Sequence, residues 1–142
     1  MMFLAEEVKF LFDIFNVKSS DDIRLTGGAV RDYLLGKNAD DYDFATKHKP
    51  ETSVKILEKN GIKYRVGGIK YGVITVLLNG KNCEIATLRR DFNQRGRSAD
   101  VAFVEDYETD AQRRDFTFNA LYMDAKGKIY DPCGGLKDLR SG

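Results

Sequence analysis

Several things are scarce in this 142-residue chain, and each scarcity removes a class of function. Two cysteines, Cys83 and Cys133, supply neither a disulfide framework nor a zinc-ligand spacing, so a reduced, cytoplasmic chain is expected. There is one histidine, His48, in a polar stretch with no nucleophilic partner nearby, which argues against a hydrolase triad. The two prolines sit at the edges of predicted elements, and there are no repeats, low-complexity tracts or Pro/Ser linkers, so no domain boundary is expected. No long uncharged apolar run exists. The N-terminus, Met1 to Phe15, is apolar but carries Glu6, Glu7, Lys9 and Asp13, unlike a signal peptide or a membrane span. Net charge is only +1, from 23 basic and 22 acidic residues, which excludes a globally cationic nucleic-acid binder while allowing local patches. What is present is a good core: 42% of residues are hydrophobic, with nine Phe and seven Tyr, enough for one domain.

The chemistry concentrates in two neighbouring motifs. Leu25-Thr26-Gly27-Gly28-Ala29-Val30-Arg31-Asp32 joins a short strand, Ile23 to Thr26, to a predicted helix over Ala29 to Leu35, with Gly36 placed for a left-handed cap. Glycines at a helix start let bare backbone N–H groups approach an anion, and the helix dipole favours phosphate there. Nine residues on, Asp41-Tyr42-Asp43-Phe44-Ala45-Thr46 alternates as a strand, which puts Asp41 and Asp43 on one face and Asp40 on the other. Two carboxylates with no lysine beside them are hard oxygen ligands suited to Mg²⁺, and a pair of such ions can activate an attacking hydroxyl and stabilise leaving pyrophosphate. Arg31 is placed to contact phosphate, with Asp32 supporting the turn through a backbone N–H or an arginine.

The remaining pattern is α/β. Phe3, Leu4, Val8, Leu11, Phe12 and Phe15 mark an amphipathic helix, and Pro50 opens another through Lys59, closed by Asn60-Gly61. Strands are expected at Ile62 to Val66, Val73 to Leu78 and Cys83 to Leu88, the last two flanking Asn79-Gly80, a hairpin turn signal whose loop could be two residues or longer. Glu84 lies in that second strand, either as a third carboxylate of the metal site or as the solvent-facing partner of an alternating strand. Arg89 to Asp100 reads as a polar loop, whose Arg89, Arg90, Arg95 and Arg97 either attract RNA or triphosphate or are simply solvated. A helix is expected from Asp106 to about Phe118. It would put Asp115 and Asn119 on one face, able to clasp a ribose hydroxyl, with Arg113 or Arg114 reaching the triphosphate; alternatively Asp115 pairs with an arginine and ties the helix to the sheet.

Gly-Gly-Ala-Val-Arg-Asp, the Asp41 strand, Arg113-Arg114-Asp115-Phe116-Thr117-Phe118-Asn119-Ala120 and the closing Asp131-Pro132-Cys133-Gly134-Gly135-Leu136-Lys137-Asp138-Leu139 resemble the head domain of the class II CCA-adding enzymes (tRNA nucleotidyltransferases) and bacterial poly(A) polymerases. The resemblance runs from about residue 23 to the end. It implies a polymerase-β-like nucleotidyltransferase fold, with helices packed on a mixed, mostly antiparallel sheet, forming one catalytic head domain over residues 1–142. It also implies a mobile loop near the active site at Arg89 to Asp100 and sugar recognition by the Asp115 helix.

The reaction it implies is template-independent transfer from CTP or ATP to an RNA 3′ end, with tRNA CCA addition ahead of poly(A) synthesis. A primer hydroxyl, activated at a two-Mg²⁺ site on Asp41 and Asp43, attacks the α-phosphate, and Gly27-Gly28 steadies pyrophosphate. Nucleotide transfer to a protein or small molecule, and non-catalytic nucleotide binding, are the readings from other classes. Relatives continue into helical neck, body and tail domains that carry a Glu-Asp-x-x-Arg base-selecting motif. Here the only Glu-Asp, Glu105-Asp106, is followed by Tyr107-Glu108-Thr109, so base choice and tRNA grip are expected to lie outside this chain. The chain is expected to be either a fragment of a longer enzyme or a stand-alone head domain, and an ending in Leu-Arg-Ser-Gly just after a predicted helix start looks more like a cut.

Overall fold

The computed structural model describes residues 5–37, 39, 41–68, 72–95, 98–114 and 120–132, with the backbone alone over 92–95 and 98–100. In chain order the elements are α1 (Glu6–Phe15), β1 (Ile23–Thr26), α2 (Gly28–Leu34), β2 (Asp41–Thr46), α3 (Pro50–Lys59), β3 (Tyr64–Gly68), β4 (Val73–Leu78), β5 (Lys81–Thr87), β6 (Arg89–Arg95), β7 (Ser98–Phe103), α4 (Tyr107–Gln112), β8 (Tyr122–Met123) and β9 (Ile129–Tyr130). Seven strands form one sheet in the order β3-β4-β5-β2-β1-β8-β9, and β6 and β7 form a separate hairpin. Of the described pairings only β2 with β5 is parallel, so the sheet is mixed and mostly antiparallel.

Strand alternation divides this sheet into two faces. Val8, Leu11, Phe12 and Phe15 of α1 and Leu57 of α3 pack with Ile23, Leu25, Tyr42, Phe44, Ile74, Val76, Cys83 and Ile85 in the main core. The period-two strand residues thus meet the period-3.6 stripe of the helices. On the opposite face, Ala45 joins Leu88, Tyr107, Ala111, Ala120 and Tyr122 in a smaller cluster beneath α4. Asp41 and Asp43 belong to that second face but lie beyond the cluster, exposed where Tyr42 and Phe44 are buried.

Local chemistry sets several boundaries. Asn79 and Gly80 both take positive φ, +50° and +78°, and Leu78 pairs with Lys81, so the β4–β5 connection is a two-residue turn matched to strand twist. β3 begins two residues later than the sequence pattern suggests. Ile62 N–H donates to Leu57 O and Gly61 N–H to Glu58 O, with Gly61 at φ +68°, so Ile62 is spent closing α3. The helix after the glycines starts at Gly28 rather than Ala29, and Gly36 at φ +73° ends it as expected.

Two larger expectations are corrected. Arg89 to Asp100 is not a loop: β6 pairs antiparallel with β7, Arg89 opposite Phe103, Arg90 opposite Ala102 and Asp91 opposite Val101. Arg89-Arg90-Asp91 carries no apolar alternation, so this stretch gives no strand signal of its own. The helix expected through Phe118 ends at Gln112. Arg113 N–H turns to Asp110 O and Arg114 N–H to Ala111 O, three-residue bonds that tighten the last turn. Asp106 caps the start, accepting from Thr109 N–H at 2.9 Å. The Asp115 and Asn119 positions, Phe3 and Leu4 of the first helix, Asp40, Arg97, and the closing run from Cys133 lie outside the described residues.

Candidate active site

β2 is the axis of the site. In the parallel ladder Asp41 stands opposite Asn82 and Asp43 opposite Glu84, and in the next ladder Glu84 stands opposite Thr75. Glu84 is therefore the neighbour of Asp43 on the same face, close enough for its charge to act on the Asp43 carboxyl. Asp41, Asp43, Glu84, Asn82, Thr75, Arg65 and Gly67 line an open cavity of about 510 Å³. Gly67 is the extra residue of a bulge in β3, between the Val66–Ile74 and Gly68–Val73 pairs, which bends the edge strand at the cavity rim.

The charges at this point are concentrated and incompletely compensated. The Asp43 carboxyl is raised above its ordinary range, first because surrounding chain strips its hydration, then because the Glu84 and Asp41 carboxylates crowd it, against an opposing pull from Arg114. Like charges crowded in this way form a site that a bound cation would relieve.

On the β1 side, Thr26 pairs with Asp43, so the strand delivers the glycine turn directly beside the carboxylate. Gly27 takes φ +70° and ψ −142°, a conformation that needs glycine, and an added Cβ there would stand 3.4 Å from Asp43 Oδ2. A Cβ on Gly28 would meet Arg31 Nη2 at 3.4 Å, which shows the Arg31 guanidinium folded back over the turn. Arg31 Nε lies 3.4 Å from Asp32 Oδ1, a long contact between half-exposed groups.

Asp110 was not among the expected site residues, yet it organises the arginines. Its side chain is 1% exposed and accepts from Arg113 Nη2 at 3.1 Å, Arg114 Nη2 at 3.1 Å, the Tyr122 hydroxyl at 2.7 Å and Arg89 N–H at 3.0 Å. Burial pushes this carboxyl up, but Arg114, Arg113, Tyr122 and the Arg89 N–H outweigh it and hold it below the ordinary range. The Arg113 and Arg114 guanidinium groups and the Arg89 backbone N–H thus converge on one buried carboxylate. Desolvation and the neighbouring Arg113 lower the Arg89 guanidinium, which also lies 3.4 Å from Asp91 Oδ1. Asp110, which the sequence pattern did not single out, pairs with both arginines; Asp115 lies outside the described residues. The only sequence trace of Asp110 is an acidic residue three and four positions before a basic pair.

The expected residues therefore divide. Gly27, Gly28, Asp41, Asp43 and Glu84 are brought together, with Arg31 and Asp32 at the turn and Arg114 close enough to act on Asp43. Arg90 is exposed and alternates with Arg89 along β6, facing the other way. Arg95 ends β6. His48 sits in the polar connection between β2 and α3 as expected, but its side chain is buried, Nε2 donating to Phe15 O at 2.7 Å and lying 3.7 Å from Asp22 Oδ2.

Among the described residues no three His, Cys, Asp or Glu side chains are gathered closely enough to hold an ion unaided. The donor set nevertheless fits a hard divalent cation that takes one or two carboxylates and completes its shell with water and phosphate oxygens. No described helix is long and apolar enough to cross a membrane.

A mixed sheet that sets paired carboxylates beside a glycine turn defines a polymerase-β-like nucleotidyltransferase domain. The chain belongs to the poly A polymerase head domain family, whose model matches residues 23–142. It is 39% identical over 138 residues to human CCA tRNA nucleotidyltransferase 1, mitochondrial, covering 96% of this chain and 32% of that protein. It is 41% identical over 121 residues to the CCA-adding enzyme of Geobacillus stearothermophilus, covering 84% and 29%. Among solved structures, the Bacillus stearothermophilus CCA-adding enzyme in complex with CTP matches with a TM-score of 0.77 at 36% identity, covering 96% of this chain and 32% of that one. A tRNA nucleotidyltransferase complexed with a primer tRNA and an incoming ATP analogue matches with a TM-score of 0.64 at 28% identity, covering 83% and 33%. The chain thus spans about a third of the length of these relatives.

Proposed function

We propose that this chain is the catalytic head domain of a nucleotidyltransferase that adds nucleotides from CTP and ATP to an RNA 3′ end, with CCA addition to tRNA as its reaction. The observation that carries the reading is the register of β1, β2 and β5, which sets Asp43 between Glu84 and the Gly27 turn. The names of the relatives, a mitochondrial CCA tRNA nucleotidyltransferase and a bacterial CCA-adding enzyme, support the choice of substrate.

In this reaction the primer 3′-oxygen forms a bond to the α-phosphorus while the bond to the β-phosphate bridging oxygen breaks. Pyrophosphate leaves with the electron pair, and the hydroxyl proton is lost. Asp41 and Asp43, with Glu84 beside them, are the residues that would hold a divalent cation, in our reading Mg²⁺ at two positions. When bound, such ions neutralise the attacking and leaving oxygens. The protein's own part is positioning and charge placement. Gly27 keeps the backbone close to the reacting phosphates, and Arg31 covers the turn. Arg113 and Arg114, held by Asp110 with Arg89 beside them, offer fixed forked donors to the triphosphate. Asp115 and Asn119 are assigned to the ribose, and Arg90, Arg95 and Arg97 to RNA or triphosphate contact, on the resemblance alone. A reduced compartment suits Cys83, whose buried thiol is pushed up to about 12.

Incubating the protein in its natural length with labelled CTP or ATP, Mg²⁺ and tRNA lacking its 3′ end tests this. The expected result is incorporation of C, C and A that stops there. Absence of any transfer to RNA overturns it. The family description names poly A polymerase, so A-only addition is the second reading, distinguished by failure to use CTP.

A further inference from the structure

Across the site face, the pairing of β3, β4, β5 and β2 aligns Arg65, Thr75, Glu84 and Asp43 in one row. Directly paired residues project to the same side, so Arg65 shares the face of the carboxylates, and it lines the same cavity. Arg24, Arg31, Arg89, Arg113 and Arg114 all lie against carboxylates. Arg65 is exposed and, among the described residues, has no carboxylate partner. It stands two strands beyond Glu84, on the opposite side of the carboxylates from the Gly27 turn. Leu77, 65% exposed, lies on the same face and pairs with Asn82, which in turn pairs with Asp41. The outer flank of the site therefore offers an exposed guanidinium and an apolar surface.

In-line displacement requires the attacking and leaving oxygens to lie on opposite sides of the transferred phosphorus. If the leaving pyrophosphate lies toward the glycine turn and the Asp110-held arginines, the attacking strand enters over β5, β4 and β3. We propose that Arg65 grips a backbone phosphate of the RNA primer near its 3′ end, with Leu77 beneath the terminal base. The inference rests on the nucleotidyl-transfer reading above and adds to it a direction of primer entry. A single forked donor on a phosphodiester fits the geometry, because a guanidinium matches phosphate bidentately and retains its charge at any working pH. Arg65 is a positioning residue in this scheme, acting on the primer and not on the reacting atoms.

Amide NMR titration of the 142-residue chain tests it, using a trinucleotide RNA with a free 3′-hydroxyl at up to millimolar concentration, and separately ATP with Mg²⁺. RNA is expected to shift amides of Arg65, Val66, Thr75, Leu77 and Asn82, and ATP those of Gly27 to Val30. R65A should weaken the trinucleotide about tenfold. It should also reduce the dependence of log affinity on log salt by about 0.7. ATP affinity should be unchanged, and R65K should restore much of the salt dependence but only part of the affinity. The proposal is overturned if RNA shifts fall only at the glycine turn, if no RNA shift occurs, or if R65A weakens ATP and leaves RNA alone. Failure of ATP to bind in a manner dependent on Asp41 and Asp43 instead counts against the transferase reading, whatever the RNA titration shows.

Discussion

β2 presents Tyr42 and Phe44 to one side and Asp41 and Asp43 to the other, and the two sides are governed by different forces. Toward the helices, Phe44 is 1% exposed and stacks edge-on against Phe12, ring centroids 5.9 Å apart, in a core that satisfies itself. Toward the cavity, Asp43 sits against Glu84 and near Asp41, a grouping that raises its carboxyl and gives the fold nothing. The apolar face holds the strand rigidly in place, so the polar face can keep like charges at a fixed spacing until a cation and a triphosphate neutralise them. Stability and chemistry are thereby separated by a single residue of alternation.

Substitutions on the two faces should separate the same way. Replacing Asp41 and Asp43 together by alanine should lower nucleotide incorporation by on the order of 10⁴-fold, since several kcal/mol of charge neutralisation is lost. The urea midpoint should not fall. A variant that loses activity only through unfolding would break the distinction. Phe44→Ala, one residue away, should destabilise by about 3–5 kcal/mol through lost burial and a cavity. Urea denaturation measures this, and a loss below about 1 kcal/mol would mean the core face is not what holds the strand.

Asp110→Ala falls between the classes, because Asp110 is buried like a core residue yet holds the site's arginines. Removing it leaves Arg114 and Arg113 without their shared carboxylate, which should cost about 3–5 kcal/mol at most, and less to the extent that water reaches the half-buried arginines. It should also weaken ATP binding, because the forked donors lose their orientation. Asp110→Asn, which keeps hydrogen-bond acceptance from Tyr122, should restore more stability than ATP affinity. Equal recovery of both would assign Asp110 to folding alone.

The smallest effect is the most diagnostic of like-charge crowding. A carboxyl whose folded value is raised binds its proton more tightly folded than unfolded. Wild-type stability should therefore rise as pH falls from neutrality toward the ordinary carboxylate range, by the part that Asp43 contributes. Asp43→Asn should be more stable than wild type at neutral pH, and the difference should shrink as acid protonates Asp43. Urea midpoints of both proteins across pH 4 to 8 measure it. An Asp43→Asn variant less stable than wild type at pH 7 would mean the carboxylate is compensated.

How much of this was legible in the chain follows from the range of each interaction. The Asp41 and Asp43 pairing and the glycine turn are local: period-two alternation and a two-residue spacing are written in consecutive letters. The Asn79-Gly80 turn signal was legible for the same reason, though its two-residue length emerged only with the Leu78–Lys81 pairing. Glu84 was ambiguous because its position next to Asp43 depends on β2 pairing in parallel with β5, some forty residues on, after a crossover through α3, β3 and β4. The β6–β7 hairpin is not legible because Arg89-Arg90-Asp91 carries no apolar alternation, and what fixes it is backbone pairing with β7 and the Arg89 N–H held by Asp110. Asp110 itself reads as an ordinary acidic residue in a first helical turn, and only the fold shows Tyr122 and two arginines closing around it. The burial of His48 in its polar connection was not legible because the backbone carbonyl that holds it belongs to Phe15, far away in sequence.

The central claim is that Asp41 and Asp43 bring a divalent cation to a bound triphosphate. The direct measurement is the affinity of this chain for ATP by isothermal titration, with and without Mg²⁺, in wild type and in the Asp41→Ala, Asp43→Ala double variant. The account predicts tighter binding with Mg²⁺ in the wild type and loss of that Mg²⁺ dependence in the variant. Mg²⁺-dependent ATP binding that survives both substitutions would contradict it.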